Sequence, residues 1–460
     1  MRLLIIGGSD AGISAALRAR ELAPGTVISV VLADEFPNYS ICGLPFFLSG
    51  ETPDSKQLAH RTEFDGIQLF KNHTAINIDT ERRTVMVQDR EGQRKELAYD
   101  QLILGTGAEP ITPPISGFRT PGVYPLHTMD HSFAIKRHLE EKNPRSAVVV
   151  GAGYIGVEMA DALTVRGLEV TLVGKNKAVL PTVDTDLGAL VDEECRRHGV
   201  KVVNETEIRS IQAEGSSLCL AASSGFETRA DLIVVAVGVK PTTGLAASAG
   251  IPTGNRGAIR VNRAMKTELK NIYAAGDCAE TWHRLLNRYT YLPLGTTSHK
   301  QGRVAGENAV GGKREFQGSV GTQVVKVFDL AIARTGLREA EAREAGFDPF
   351  TTEVTVWDHK AYYPGAHKMH VRVTGVRRTG RLLGAQIVGH WQSQVAKRVD
   401  IFATAIYAGL KVDEISDLDL SYTPPLSSPW DPVQSAAQGW NVEARATVRH
   451  STQPPAVERC

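Results

Sequence analysis

Residues 146–173 read SAVVVGAGYIGVEMADALTVRGLEVTLV, which is an apolar run, a glycine-rich turn, a stretch with helical periodicity and a second apolar run. This order predicts a parallel strand–helix–strand unit in which Gly151, Gly153 and Gly156 form a complete GxGxxG turn. Such glycines allow backbone N–H groups to approach a pyrophosphate at the positive end of the helix. A tight turn without a ligand is the alternative, and the framing by strand and helix favours the nucleotide site.

The N-terminus repeats this pattern. The sequence predicts a strand over residues 3–6, a glycine turn, a helix that ends at about residue 23 and a second strand over residues 27–32. One chain therefore carries two predicted dinucleotide-binding units.

The first glycine turn departs from the full fingerprint. Ser9 stands between Gly7 and Gly12 where the second glycine belongs, and serine is small enough for a phosphate to approach. The position that normally supplies an acid for the ribose hydroxyls is a leucine. Asp34, or alternatively Glu35, is predicted to supply that acid instead.

The end of the second unit bears on the choice of nicotinamide nucleotide. It reads VTLVGKNK, so Gly174 stands where a carboxylate would favour NAD, and Lys175 and Lys177 follow it. Losing a negative charge and gaining positive ones suits a 2′-phosphate, which favours NADPH over NADH. Two solvated loop lysines are the alternative interpretation.

The remaining sequence completes a three-domain arrangement. Short glycine-terminated strands recur in the first part, whereas from about residue 320 longer alternating strands precede an amphipathic helix over about residues 394–407. The predicted fold class is α/β, with two Rossmann-like nucleotide-binding domains plus a C-terminal α+β domain. The predicted segments are 1–120 with 246–318 for the first domain, 121–245 for the second, 319–438 for the third, and a loosely ordered tail over 439–460.

Composition excludes several classes of partner. The 460 residues carry a net charge of +1 with acidic and basic residues interspersed, so no nucleic-acid or membrane-surface patch is predicted. The N-terminus lacks the pattern of a signal peptide, and no apolar stretch is long enough to span a bilayer. The five cysteines are scattered without a CxxC pair, which predicts a reducing, cytoplasmic setting and no metal site.

Several motifs together resemble the FAD-dependent pyridine nucleotide-disulfide oxidoreductases over about residues 1–438. They are the two Rossmann units, the GTG turn at 105–107, the AAGD segment that ends at Asp277 and the C-terminal α+β domain. The resemblance implies FAD in the first unit, NAD(P)H in the second and a homodimer formed by the third domain. It also implies that Asp277 contacts the ribityl chain of FAD and that Tyr154 and Glu158 lie near the nicotinamide and the isoalloxazine.

The full set of predicted cofactor contacts follows from the glycine turns and this resemblance. It comprises Gly7, Ser9, Asp10, Gly12, Asp34, Gly107, Gly151, Gly153, Tyr154, Ile155, Gly156, Glu158, Lys175, Gly238 and Asp277.

One cysteine decides the branch of the family. Cys42 lies in YSICGLPFF, and Phe47 occupies the place where glutathione-reductase-like members have the second cysteine of a CxxxxC pair. A solitary thiolate can accept two electrons only by alternating between a thiol and a mixed disulfide or a sulfenic acid. This pattern resembles the branch of coenzyme A-disulfide reductases, NADH oxidases and persulfide or polysulfide reductases. A buried, inert cysteine is the alternative.

Two further features favour disulfide chemistry within that branch. Oxidase and peroxidase members carry a histidine in the first glycine turn, whereas this chain has Asp10, whose carboxylate would raise the pKa of the thiol. The segments SYTPPLSSPWDP and AYYPGAH resemble coenzyme A-disulfide reductase, in which two tyrosines reach across the dimer to the cysteine. That resemblance implies that Tyr422 and either Tyr363 or Tyr362 assist the departing thiolate, and packing of the dimer interface is the alternative.

Arg18 and Arg20 on the first helix are candidates for contacts with coenzyme A phosphates, with a solvated helix face as the alternative. The resulting prediction is an enzyme that passes electrons from NADPH or NADH through FAD to a small disulfide or persulfide at Cys42. A rival of the same class is an NAD(P)H oxidase that reduces dioxygen. A rival of another class is an electron-transfer or sensor flavoprotein with a protein acceptor, which needs no cysteine.

Overall fold

The computed structural model describes residues 1–451, and these divide into two compact units. Unit 1 comprises residues 1–175 and 205–319, and unit 2 comprises residues 176–204 and the chain from residue 320 onward. No helix among the described residues is long and apolar enough to cross a membrane.

The strands are β1 (Arg2–Ile6), β2 (Val27–Val31), β3 (Ile67–Phe70), β4 (Thr74–Asp79), β5 (Thr84–Gln88), β6 (Arg94–Ala98), β7 (Gln101–Leu104), β8 (Ala108–Pro110), β9 (Val123–Pro125), β10 (Ser146–Val150), β11 (Glu169–Val173), β12 (Lys201–Val203), β13 (Ile208–Glu214), β14 (Ser217–Ala222), β15 (Glu227–Ala230), β16 (Leu232–Val235), β17 (Val239–Pro241), β18 (Ile272–Ala274), β19 (Thr281–His283), β20 (Arg288–Thr290), β21 (Gln323–Val327), β22 (Leu330–Gly336), β23 (Pro349–Trp357), β24 (Lys368–Val376) and β25 (Leu382–His390).

The helices are α1 (Asp10–Leu22), α2 (Leu44–Ser49), α3 (Met129–Lys142), α4 (Tyr154–Val165), α5 (Thr185–Arg197), α6 (Gly244–Ser248), α7 (Gly295–Ala309), α8 (Glu339–Glu344), α9 (Val395–Ala408), α10 (Val412–Ser416) and α11 (Pro432–Ser451).

Unit 1 contains the two predicted strand–helix–strand units, each built on a parallel sheet. The first sheet has the order β18–β7–β1–β2–β3, and the second contains β11–β10–β16–β9. The central strands β1 and β10 are almost wholly apolar and buried, as expected when both faces of a parallel sheet are covered. The predicted α/β fold with two Rossmann-like domains is confirmed.

Helices α1 and α7 approach each other closely because glycines of α7 face the backbone of α1. A Cβ atom at Gly302 would lie 2.2 Å from the carbonyl oxygen of Ala11, and one at Gly306 would lie 2.2 Å from that of Ala15. Any larger side chain at these two positions would force the helices apart. The approach brings the first turn of α7 beside the first turn of α1.

Unit 2 is built on the antiparallel sheet β21–β22–β25–β24–β23, against which α9 and α11 pack. Helix α9 begins after Gln394 and ends at Ala408, close to the predicted amphipathic helix. Arg398 on its buried face donates to the carboxylate of Asp431 and to the backbone oxygens of Ser393 and Asp358. This buried cation therefore ties the helix to two loops of unit 2.

The segment 176–204, which contains α5 and β12, belongs to unit 2 through charged contacts. Arg372 on β24 donates to Asp184 at 2.8 Å and to Asp186 at 3.0 Å. The backbone N–H of Asp329 donates to Glu194 on α5 at 2.9 Å. The predicted boundaries between the three domains stay predictions, since compactness alone groups most of both nucleotide-binding regions in one unit.

The same segment carries a group of side chains with metal-ligand chemistry. Among the described residues, ligand atoms of Glu194, His198 and Asp329 lie within 4.8 Å of one another. A guanidinium already bridges the two carboxylates, since Arg197 Nη2 lies 2.5 Å from Glu194 and 3.2 Å from Asp329. The group is therefore an ion-pair network whose charges are satisfied by protein.

The prediction of a loosely ordered tail after residue 438 differs from the structure. Helix α11 continues to residue 451, and Trp440 is buried with its indole N–H donating to the backbone oxygen of Phe350 at 2.8 Å. Packing of Trp440 and Ala444 orders a segment whose polar composition gives no local signal. Residues 452–460, including Cys460, lie outside the described residues.

Candidate active site

The first glycine turn joins β1 to α1 and is sterically restricted to small residues. Gly7 has φ +117°, and a Cβ atom there would lie 2.0 Å from the carbonyl oxygen of Gly105. A Cβ atom at Gly12 would lie 1.9 Å from the carbonyl oxygen of Gly7. Ser9 is the N-cap residue of α1 and makes no side-chain capping bond, so its hydroxyl and the first helical N–H groups are available to a phosphate.

The second turn, between β10 and α4, has the same geometry with one difference that matters. A Cβ atom at Gly151 would lie 2.3 Å from the carbonyl oxygen of Ala236, and one at Gly156 would lie 1.7 Å from that of Gly151. Around Gly153, by contrast, no protein atom lies within 4 Å of the Cβ position. Gly153 is the N-cap residue of α4, so the open space at this position suits a phosphate lying against the helix N-terminus.

Asp34 lies just beyond β2, as the sequence predicts for a ribose ligand. Its Oδ1 accepts a hydrogen bond from the backbone N–H of Phe36 at 3.0 Å. Burial raises the pKa of the carboxyl above its ordinary value. The alternative acid, Glu35, is exposed.

The AAGD segment ends at a carboxyl group held in a defined orientation. The hydroxyl of Ser298, on the first turn of α7, donates to Asp277 Oδ1 at 2.8 Å. Burial raises the pKa of Asp277 to about 6, against the opposing effect of the Ser298 hydrogen bond. The remaining predicted glycines, Gly107 and Gly238, adopt positive φ values of +68° and +109° that favour glycine.

Cys42 lies in a short 3₁₀ turn, Ile41–Gly43, immediately before α2, and its thiol is open to solvent on one side. The pKa of the thiol is raised by desolvation and then by the carboxyl groups of Asp10, Glu158 and Asp277. These four residues come from four separate parts of the sequence and meet in unit 1. The expectation that Asp10 raises the pKa of this thiol is confirmed.

Glu158 is the most strongly perturbed of the three carboxyl groups. It lies on the first turns of α4, and burial, followed by the charge of Asp161, raises its pKa to about 7. Tyr154 and Ile155 begin the same helix. The helix that starts at the nucleotide turn therefore also carries an acid close to the cysteine.

The predicted tyrosines all lie in unit 2 and are accessible. Tyr362 is 74% exposed, Tyr363 is 43% exposed and Tyr422 is 44% exposed. A side-chain hydrogen bond links Tyr362 to Tyr422. The pKa of the Tyr362 phenol is raised by desolvation first, and then by the charge of Tyr422 and by this hydrogen bond. Tyr363 instead packs its ring edge-on to His359, with centroids 5.9 Å apart.

The two candidate arginines are already engaged within unit 1. Arg18 forms ion pairs with Glu307 at 2.7 Å and with Glu21 at 2.9 Å, and its side chain is only 15% exposed. Arg20 donates to the backbone oxygen of Pro24 and lines a surface groove with Gly66. Arg18 therefore acts as a link between α1 and α7. Lys175 is exposed at the end of β11.

Sequence reasoning missed two residues of this region, Ser298 and His299, in the run GTTSHKQGR at the start of α7. His299 Nδ1 lies 2.8 Å from the Ser14 hydroxyl, and its Nε2 lies 3.6 Å from Asp10 Oδ1. The only sequence feature that could have indicated these residues is a serine–histidine pair at the beginning of a helix. The partners of the two side chains depend on which helix packs beside α7, and the local sequence does not specify that helix.

The profile described as "Pyridine nucleotide-disulphide oxidoreductase" matches residues 1–302, and the profile described as its dimerisation domain matches residues 322–432. The chain belongs to the pyridine nucleotide-disulphide oxidoreductase family. The two matches together cover most of the chain, in agreement with the prediction from its motifs.

Relatives of this oxidoreductase carry names from sulfur chemistry. It is 35% identical to the "NAD(P)H sulfur oxidoreductase (CoA-dependent)" of Pyrococcus furiosus over 438 residues, covering 94% of this chain and 97% of the relative. It resembles the solved NAD-dependent persulfide reductase from A. fulgidus with a TM-score of 0.93 and 36% identity, covering 97% of this chain and 84% of that one. It also resembles reduced Bacillus anthracis CoADR-RHD with a TM-score of 0.93 and 32% identity, covering 97% and 81%.

Proposed function

We propose that this oxidoreductase is an FAD-dependent reductase that passes two electrons from NAD(P)H to a small disulfide or persulfide through Cys42 alone. The observation that carries the proposal is that Asp10, Glu158 and Asp277 all act on an accessible Cys42. Asp10 and Glu158 lie on the helices that begin at the two glycine turns, and Asp277 ends the AAGD segment after β18. None of the cysteines within the described residues forms a disulfide. The names of the relatives support the same chemistry.

In this proposal the residues of the first turn hold FAD. Ser9 and the first N–H groups of α1 hold its pyrophosphate, Asp34 holds a ribose and Asp277 holds the ribityl chain. When bound there, FAD accepts a hydride equivalent from the nicotinamide and supplies two electrons to sulfur. The turn of residues 151–156 holds the nicotinamide nucleotide, and Glu158 lies on the helix that leads from that turn toward Cys42.

The sulfur step belongs to Cys42. Its thiolate attacks a substrate disulfide RSSR, so that a bond forms between Cys42 Sγ and one substrate sulfur while the substrate S–S bond breaks and RS⁻ leaves. Two electrons then cleave the mixed disulfide and regenerate the Cys42 thiolate. The neighbouring carboxyl groups raise the pKa of the thiol, so reactivity depends on how those groups are protonated.

We assign the assisting phenols to Tyr362 and Tyr422, because these two are hydrogen-bonded to each other and remain exposed. Neutral phenols can donate hydrogen bonds to a leaving thiolate without being charged themselves. The match to the dimerisation profile supports a homodimer, in which such exposed tyrosines face a second copy. Cytoplasmic localisation stays a prediction.

Coenzyme A is the substrate class that we favour, because relatives are named for it. Arg18 would have to leave Glu307 to bind a coenzyme A phosphate, whereas Arg20 would give up only the backbone oxygen of Pro24. We therefore propose Arg20 as the phosphate contact of the two. Mass spectrometry of the unreduced protein tests this class, because a coenzyme A-sized adduct on Cys42 is expected, whereas one added oxygen would favour dioxygen reduction.

Cys42→Ser in the holoenzyme is the central experiment, with Cys219→Ser as the matched control. We expect Cys42→Ser to lose NAD(P)H-dependent disulfide reduction while flavin bleaching by NAD(P)H under anaerobic conditions persists. Cys219 lies on β14, so its loss should leave both activities unchanged. Undiminished disulfide turnover in Cys42→Ser would refute the proposed function and favour a protein acceptor.

NADPH preference is the finer proposal for the nucleotide. Lys175 is exposed directly after β11, where a 2′-phosphate would lie. Lys175→Glu should raise KM for NADPH by about tenfold, the equivalent of ~1.4 kcal/mol, and leave KM for NADH almost unchanged. Equal effects on both nucleotides would contradict this assignment.

A further inference from the structure

His299, a titratable side chain outside the predicted set of site residues, lies beside the predicted residue Asp10. The close packing of α7 on α1 at Gly302 brings His299 beside the first turn of α1. His299 Nε2 lies 3.6 Å from Asp10 Oδ1, and Nδ1 lies 2.8 Å from the Ser14 hydroxyl. The Ser14 contact fixes the ring so that Nε2 faces the carboxyl group.

His299 is more exposed to solvent than Asp10, as expected if a proton passes from solvent to His299 and then to Asp10. The His299 side chain is 51% exposed, whereas that of Asp10 is 31% exposed. Asp10 also acts on the Cys42 thiol, and among the three carboxyl groups it has the largest effect on that thiol's pKa. His299 is therefore the more solvent-exposed member of the pair, and Asp10 is the member that acts on the accessible sulfur of Cys42.

We propose that His299 and Asp10 form the proton-delivery path to the thiolate RS⁻ that Cys42 displaces from the substrate disulfide. The proposal rests on the proposed function and adds to it a route that the tyrosine assignment does not contain. Asp10 is the acid that serves the sulfur, and His299 is a positioning and relay residue that acts through Asp10.

The reaction consumes one proton from solvent for each disulfide, and the proposed path supplies it. NAD(P)H, RSSR and one proton from solvent give NAD(P)⁺ and two RSH. When Cys42 displaces RS⁻, the Asp10 carboxyl protonates it, and the Asp10 carboxylate then takes a proton from the His299 imidazolium, which recovers one from water. The second RSH receives the proton that arrives with the hydride of NAD(P)H.

The surroundings of Asp10 suit this role. The groups that face it are His299 on α7, His60 on the loop after residue 58, Asp277 after β18 and the Cys42 thiol. Burial raises the pKa of Asp10 and the two histidines oppose that rise, so the carboxyl holds its proton nearer to neutral pH than a solvated aspartate does. Asp277 is committed to Ser298, which leaves Asp10 as the carboxyl in contact with a solvent-facing base.

The test uses the holoenzyme with His299→Ala and, as a matched control, Lys300→Ala, which removes a cation from the next exposed position of α7. We expect His299→Ala to slow disulfide reduction by at least about tenfold at pH 8 and to alter the pH profile. Added imidazole should restore part of the rate, and flavin reduction by NAD(P)H should be unchanged. A wild-type pH profile, or a loss without imidazole rescue, would overturn the relay.

A second measurement does not depend on turnover. Asp10→Asn removes the carboxylate that raises the pKa of the thiol, so iodoacetamide should alkylate Cys42 faster at pH 7–8 than in the wild-type protein. An unchanged alkylation rate would overturn the link between Asp10 and the sulfur. If Cys42→Ser is inactive while His299→Ala behaves as wild type, the relay fails and the proposed function stands. If Cys42→Ser is fully active, the function itself fails.

Discussion

Two glycines of the second nucleotide turn are predicted to have different roles. Gly156 allows α4 to pack against the end of β10, whereas Gly153 leaves space for the nucleotide. Gly156→Ala would put a Cβ atom 1.7 Å from the backbone oxygen of Gly151. Since non-bonded atoms do not approach closer than about 3 Å, the start of α4 must move by more than ~1 Å from the end of β10. Overpacking of this kind costs about 1–3 kcal/mol. Gly153→Ala meets no protein atom within 4 Å and should cost almost nothing in the free protein.

The expected results therefore differ in kind. Gly156→Ala should lower the free energy of unfolding, measured by urea titration of the nucleotide-free protein. Gly153→Ala should keep wild-type stability but weaken NAD(P)H binding by about tenfold, or ~1.4 kcal/mol, because its methyl group fills the space suited to a phosphate. Fluorescence titration with NAD(P)H measures the second effect. Tight nucleotide binding by Gly153→Ala would refute the assignment of the pyrophosphate to this turn.

Two further predictions concern buried charge. Glu158, whose pKa is raised to about 7 from an ordinary value of 4.5, is protonated in both the folded and unfolded states below pH 4.5, and its ionisation costs folded-state stability as the pH rises through 7. Glu158→Gln should therefore match wild-type stability at pH 4 and exceed it by up to ~3 kcal/mol at pH 8 in urea unfolding, and a pH-independent difference would contradict the shift. Arg398→Met leaves Asp431 buried without its cation and should destabilise unit 2 by about 3–5 kcal/mol, and a loss below 1 kcal/mol in thermal or urea unfolding would show that the pair is not needed.

Local sequence was enough to predict the two glycine turns, because a strand, a glycine-rich turn and a helix follow one another within about thirty residues in each unit. Gly12 and Gly156 are required by close contacts with the carbonyl oxygens of Gly7 and Gly151 inside the same turns. The absence of a partner for Cys42 could also be predicted from local sequence, because Phe47 stands where a CxxxxC pair would have its second cysteine. The resemblance to a family then followed from the order of these motifs.

The third domain was predicted only in part. Alternating strands and the helix near residue 394 are local patterns, and they agree with the structure. The prediction of a loosely ordered segment was wrong for residues 439–451, because helix α11 depends on the packing of Trp440 against β23 and its neighbours. Polar composition describes the exposed face of such a helix and does not reveal its buried face.

The sequence by itself determined which chemistry is possible: two glycine turns suited to dinucleotides, one cysteine without a partner at the CxxxxC spacing and an acid at position 10. Only the tertiary structure decided which side chains act on that cysteine. Asp10, Glu158 and Asp277 are each separated by more than a hundred residues along the chain, and His299 follows Asp277 on α7. Asp10 and Asp277 come together because β1 and β18 end at the same edge of one parallel sheet, and His299 joins them because α7 packs on α1. Glu158 comes from the helix that follows the second sheet. Spacing along a chain carries no information about such contacts, since they arise from the packing of whole elements.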